Sequence, residues 1–175
     1  GGGRWLIYYT QLSNIFLLVA VFINIVGAVK CLVLGRGDNL PMDAWRIFHA
    51  AVSATTVTFL VVLLVLSWMY GDLWYILTAG SMLYTHTLCP LIALGTFIGF
   101  APKGFKKVDA VKATSFTVIY GLIAIVLNIM RVLKGPYPFL YVYEQPVLVT
   151  VFWVVTIISG AYALSRLILV GKIKK

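Results

Sequence analysis

The chain has 175 residues, of which 62% are hydrophobic and 11% are charged. Soluble domains carry about 25% charged residues, so this composition excludes a soluble domain and indicates an integral membrane protein. The formal net charge is +9, but the basic residues lie at the ends of apolar segments, so we expect no nucleic-acid partner. Cys31 and Cys89 lie far apart in or beside apolar runs, which predicts neither a disulfide framework nor a metal site.

Five apolar segments are each long enough to cross a bilayer core of about 30 Å. We therefore predict an all-α fold, a polytopic helical bundle that forms a single transmembrane domain over residues 1–175. The five helices are expected at about 5–34, 43–70, 73–100, 108–133 and 147–170.

The distribution of basic residues predicts the orientation of this bundle. Five spans place the two ends of the chain on opposite sides, and one side carries far more lysine and arginine. By the positive-inside rule that side, with the C-terminus, is cytoplasmic. The basic side holds Lys30, Arg36, Arg46, Lys103, Lys106, Lys107, Lys112, Arg166, Lys172, Lys174 and Lys175, and the other holds Arg4, Arg131 and Lys134.

The first predicted helix begins with Trp5, Tyr8 and Tyr9, which are typical of a membrane interface. A polar cluster follows over residues 10–14. Thr10 and Asn14 are four residues apart and therefore share one face of the helix.

The second predicted helix begins at Asp43, a suitable N-cap residue after Pro41. His49 lies one to two turns further on, and we interpret it as a structural residue. Hydroxyl side chains follow from Ser53 to Thr58, and these are expected to bond backbone carbonyls or a neighbouring helix.

The third predicted helix carries His86 near its midpoint. An ionisable side chain at this depth is costly and indicates a functional site by default. Pro90 lacks an N–H group and clashes with the carbonyl four residues earlier, so we expect a kink that frees the carbonyl of His86. The alternative is that His86 bonds a neighbouring helix and Pro90 only shapes packing.

The fourth predicted helix ends with Asn128 and Arg131, and a connection rich in tyrosine and proline follows. That connection predicts either a rigid cap or an ordinary interfacial belt. We expect Arg131 to pair with Glu144 or to bind an anionic group, unless it extends to the interface.

The polar residues of the spans suggest nucleophilic catalysis. Thr10 or Cys89 is a candidate nucleophile, and a weak nucleophile needs a neighbouring base such as His86. Asn and Arg donors could stabilise an oxyanion. The same residue types are also common in contacts between membrane helices.

Three motifs resemble one family of small membrane proteins, the androgen-induced protein family (FAR-17a-like proteins), and its bacterial relatives. They are YTQLSN at residues 9–14, HTLCPL at 86–91 and GPYPFL at 135–140. The resemblance implies an intramembrane hydrolase of fatty acid esters, with Thr10 as nucleophile and His86 as the catalytic histidine. It also implies a bacterial plasma membrane. The family usually has six spans, and its hydrolase branch has a slightly longer spacing between histidine and proline.

The leading hypothesis is therefore a lipid ester hydrolase without cofactor or metal, in which Thr10 attacks the ester and His86 acts as base. Its partners would be membrane lipids and a lipid ester substrate. One alternative is a non-catalytic lipid- or small-molecule-binding protein or transporter, and another is an acyltransferase built on His86 and Cys89. We expect His86 to line an enclosed cavity with Thr10 on its wall. The candidate substrate-binding residues are Asn14, Gln11, Ser81, Thr85, Asn128 and Arg131.

Overall fold

The computed structural model of the protein describes residues 4–35 and 40–174. Arg36 and Lys175, which enter the orientation argument, lie outside the described residues. In the described ranges the chain is helical, with 3₁₀ turns at Arg4–Ile7 and Pro138–Leu140. The helices are α1 (Tyr9–Val33), α2 (Met42–Tyr70), α3 (Leu73–Thr78), α4 (Leu83–Phe100), α5 (Lys107–Ile129) and α6 (Val147–Ile168).

Five of these helices, all except the six-residue α3, are long and apolar enough to cross a membrane. The predicted five-span, all-α membrane bundle is therefore confirmed. The fourth predicted helix was expected to reach residue 133, but α5 ends at Ile129 and Arg131 has left-handed backbone.

Helix α2 is the most buried span and packs against α1, α4, α5 and α6. Small and hydroxyl-bearing side chains from Ala51 to Thr58 are buried along it, and such residues let membrane helices approach closely. The Thr55 and Thr56 hydroxyls donate to the Ala51 and Val52 carbonyls at 3.1 and 2.7 Å. The expectation that these hydroxyls bond backbone carbonyls is confirmed.

The third predicted helix, expected to be continuous over residues 73–100, is broken. Helix α3 ends at Thr78, Ala79 is extended, and Gly80 has φ +50°. Glycine adopts this left-handed conformation without a steric penalty. Helix α4 then opens with a π-helical turn at Leu83–Leu88. The prediction was wrong because the break lies at Gly80, ten residues before Pro90.

Two asparagines fasten α1 to other helices in the same way. The amide of Asn14 donates to the Thr10 carbonyl at 2.8 Å and to the Thr85 carbonyl at 3.0 Å. The amide of Asn24 donates to the carbonyls of Ala20 and Ala44 at 2.8 and 3.1 Å. Each amide thus serves its own helix and one neighbour.

The connection from α4 to α5 is fastened to the segment after α6. The Gly104 amide donates to the Lys172 carbonyl at 2.9 Å, and Phe105 forms a parallel β-bridge with Ile173. These segments therefore share one end of the bundle, the lysine end. The opposite end, where residues 130–146 join α5 to α6, is called the cap end. Placing the lysine end in the cytoplasm stays a prediction.

Candidate functional site

A cavity lies at the cap end between α1, α2, α5 and α6. Its volume is about 80 Å³, several times the roughly 10–15 Å³ that one water molecule needs. The connection between α5 and α6 covers it with the buried side chains of Tyr137, Phe139 and Leu140. This arrangement favours a cap over an ordinary aromatic belt. The other walls include Thr10, Val57, Val61, Tyr120, Trp153 and Ile157.

Polar groups on the wall bond one another or the backbone. The Tyr9 hydroxyl lies 2.7 Å from the Thr117 hydroxyl, and the Thr58 hydroxyl lies 3.0 Å from that of Ser13. The Tyr120 hydroxyl donates to the Ile7 carbonyl at 2.7 Å. Because these groups already have partners, the cavity offers mostly carbon to a ligand, and an apolar ligand fits it best.

Thr10 lies on the wall of this cavity and is 6% exposed. Its amide donates to the Tyr137 hydroxyl at 3.5 Å. Burial raises the pKa of Tyr137, and hydrogen bonding with Thr10 opposes that shift. Thr10 therefore joins the cavity wall to its cap.

His86 is not among the residues that line this cavity, so the expectation that it shares the cavity with Thr10 is wrong. Its Nδ1 lies 2.9 Å from the Ile76 carbonyl, and the Thr87 hydroxyl donates to the Leu77 carbonyl at 2.9 Å. Carbonyls at a helix end lack backbone donors, so these two side chains cap α3. A carbonyl only accepts, so Nδ1 carries the hydrogen and Nε2 is left as the acceptor in the neutral ring.

The π-helical turn changes which carbonyl Pro90 affects. The Cys89 amide bonds the Tyr84 carbonyl, five residues back. In that register the missing donor of Pro90 would have met the Thr85 carbonyl, whereas the prediction named His86. The Asn14 amide from α1 supplies the donor instead. The carbonyls of Thr10 and Thr85 thus both accept from the side-chain nitrogen of Asn14. The Asn14 Oδ1 is buried without a hydrogen-bond partner among the described residues.

Three other candidate ligand-binding residues lie near this contact or at the end of α5. Gln11 is half-buried, and the Thr85 hydroxyl donates to the carbonyl of the exposed Ser81 at 3.1 Å. Asn128 is buried and accepts from the Gly135 amide at 2.6 Å. Asn128 therefore shapes the start of the cap.

Arg131 and Cys89 have surroundings that the sequence did not predict. Lys134 forms the ion pair with Glu144, so the expected Arg131–Glu144 pair is wrong. The Arg131 guanidinium instead lies 4.7 Å from the ring centroid of Tyr143. Cys89 packs against the core cluster near the lysine end, and no hydrogen bond joins it to His86 in the described ranges.

The lysine end contains a cluster of polar side chains that was not predicted from the sequence. His49 is completely buried, and its Nε2 lies 3.2 Å from the Ser165 carbonyl. The Ser53 and Ser165 hydroxyls each lie 3.3 Å from the same nitrogen. Phe97 and Phe105 pack their rings against the imidazole. The four-residue spacing of His49 and Ser53 was visible in the sequence, but Ser165 lies on another span.

Comparisons of the chain with protein-family models, curated proteins and solved structures gave no match. The resemblance therefore rests on the three sequence motifs. Two of them contribute to one cavity, the first through Tyr9 and Thr10 and the last through Tyr137, Phe139 and Leu140. Asn14 of the first motif also donates to the carbonyl of Thr85, the residue just before the HTLCPL motif.

Proposed function

We propose that this protein binds the acyl chain of a membrane lipid in the cap-end cavity. The observation that supports this is a cavity whose hydroxyl groups are already bonded and whose exposed wall is apolar. Acyl chains surround a membrane protein at high concentration, and a chain that fills an apolar cavity supplies the van der Waals contacts that the cavity wall lacks.

Photocrosslinking with a palmitic acid that carries a diazirine on its chain tests this proposal. We expect labelled peptides from the cavity wall, such as those that contain Trp153 or Ile157. Val61→Phe, which fills the cavity, should remove most of this labelling. Leu64→Phe on the same helix is the matched control, because Leu64 is 63% exposed and does not line the cavity. Equal labelling of the two variants would refute the binding site.

A second candidate function is cleavage of a lipid ester at Thr10. It is favoured by the position of Thr10 on the wall and by the His86 bond that leaves Nε2 able to accept a proton. In this mechanism the Thr10 oxygen attacks the ester carbonyl while His86 Nε2 takes the hydroxyl proton. The alcohol leaves with that proton, and water then hydrolyses the acyl-threonine. No hydrogen bond joins Thr10 to His86 in the described residues, so this mechanism requires the two side chains to come together when the ester binds.

Hydrolysis of a fatty acid ester by the purified protein tests the second function. Thr10→Ala and His86→Ala should each lower the rate at least a hundredfold, and the double variant should lose little more, because the two residues act as one unit. Thr114→Ala is the control, since Thr114 is buried, donates to the Ala110 carbonyl of its own helix, and does not line the cavity. If Cys89→Ala alone removes activity, the acyltransferase alternative replaces this one.

A further inference from the structure

A second site lies at the cap end, outside the cavity, where α5 ends. Here the chain forms a cleft of about 170 Å³. Its charged and aromatic lining residues are Arg131, Lys134, Tyr141, Tyr143 and Glu144.

The cleft carries one unbalanced positive charge. Lys134 pairs with Glu144 and lies 5.0 Å from the ring centroid of Tyr141. Arg131 faces the ring of Tyr143, and among the described residues no carboxylate lies within ion-pair distance of it. A bound anion with a single negative charge would neutralise Arg131.

The backbone holds Arg131 in an unusual conformation. Its φ is +57°, the left-handed region in which glycine is the default. The turn is fixed because the Arg131 amide donates to the Asn128 carbonyl at 2.9 Å and the Tyr143 hydroxyl donates to the Ile129 carbonyl at 2.6 Å. The guanidinium is therefore presented from a fixed turn.

An apolar groove of about 300 Å³ begins beside the cleft. It runs between α5 and the start of the chain, and Leu133 lines both the groove and the cleft. The two are therefore contiguous. The groove is lined mainly by Leu6, Ile7, Leu12, Phe116, Ile119 and Ile123.

We propose that an anionic phospholipid binds here, with its phosphate at Arg131 and one acyl chain in the groove. Arginine offers a planar fork of donors that suits phosphate. Tyr141 and Tyr143 are the side chains expected at the depth of the lipid headgroups. The cleft shares no lining residue with the cap-end cavity, and the groove shares only Tyr120 with it. The proposal does not depend on the function proposed for that cavity.

Native mass spectrometry of the protein released from phosphatidylcholine nanodiscs with a minor share of phosphatidylglycerol tests this site. We expect wild-type protein to retain phosphatidylglycerol selectively. Arg131→Asn should weaken retention about fivefold, because asparagine tolerates the left-handed backbone but lacks the charge. Lys112→Gln is the charge control, since Lys112 is exposed on α5 near the lysine end. Equal retention by wild type and Arg131→Asn would overturn the proposal.

A second pair of variants tests the groove. Ile123→Trp should fill it and lower retention, whereas Val126→Trp should not, because Val126 is similarly exposed on α5 but lies outside the groove. Addition of glycerol 3-phosphate and of oleic acid separates the possible sources of the anion. Displacement of the lipid by glycerol 3-phosphate alone, or Arg131-dependent retention of oleic acid in its place, would refute a phospholipid site.

Discussion

The two ends of the bundle bury similar polar side chains, but those at the lysine end are closely packed whereas those at the cap end surround a cavity. At the lysine end, His49, Ser53 and Ser165 are packed solid against Phe97 and Phe105. At the cap end, threonine and tyrosine hydroxyls surround an open space, because the aromatic side chains of the connection cover that space and do not fill it. The residue types alone therefore do not identify a ligand site, because the buried His49 cluster is closely packed whereas Thr10 borders a cavity. The property that distinguishes the two ends is the unfilled volume next to the polar side chains.

The largest expected effect comes from His49. His49→Ala should lower the free energy of unfolding by about 3 kcal/mol, because it leaves a hole in a close-packed core and removes the partner of two serines. Thr10→Ala at the cap end should lower it by only about 1 kcal/mol, since Thr10 already borders empty space. Chemical denaturation in detergent measures both values. Equal losses would remove the contrast between the two ends.

A smaller effect is expected where α1 meets the start of α4. Asn14→Ala should cost about 1 kcal/mol, typical of a hydrogen bond between membrane helices. Pro90→Ala restores a backbone donor for Thr85, so the same Asn14→Ala change should cost less in that background. A double-mutant cycle measures this coupling.

Asn24→Ala provides the matched control for that cycle. Asn24 makes the same pair of bonds, to Ala20 and Ala44, far from Pro90. Its effect should therefore add to that of Pro90→Ala without coupling. If Asn14 and Pro90 are also additive, the Asn14 amide does not replace the donor that proline lacks.

The smallest effect concerns Lys134 at the surface of the cap end. The hydrogen bond and charge of Glu144 raise the pKa of Lys134 above its usual 10.5. Below pH 10.5 Lys134 is protonated, so the ion pair makes its full contribution to the stability of the folded protein. That contribution is lost as the pH rises through the higher pKa of Lys134 in the folded state. The melting temperatures of wild type and Lys134→Met should therefore differ slightly at neutral pH and converge under strongly alkaline conditions. A gap that widens with pH would contradict this sign.

The apolar runs were enough to predict the five spans, because each run exceeds the thickness of the bilayer core. The break at Gly80 was missed because a single glycine is tolerated inside a helical pattern. The register of the π-helical turn leaves no signal in the sequence, so Pro90 was assigned to the wrong carbonyl. Thr10 lies at a cavity, but His86 does not share it as expected. Contacts such as Asn14 with Thr85 join residues 71 positions apart. Only the folded chain shows them.

The β-bridge between Phe105 and Ile173 has a consequence for the biogenesis of this protein. Residues 172–174 leave the ribosome after all five apolar helices have been made, yet they supply hydrogen-bond partners to Gly104 and Phe105. During synthesis, the connection between α4 and α5 therefore lacks these hydrogen-bond partners until two further spans have been made. The contacts at the lysine end form last, and a truncation before Lys172 would leave Gly104 and Phe105 without them in an otherwise inserted bundle.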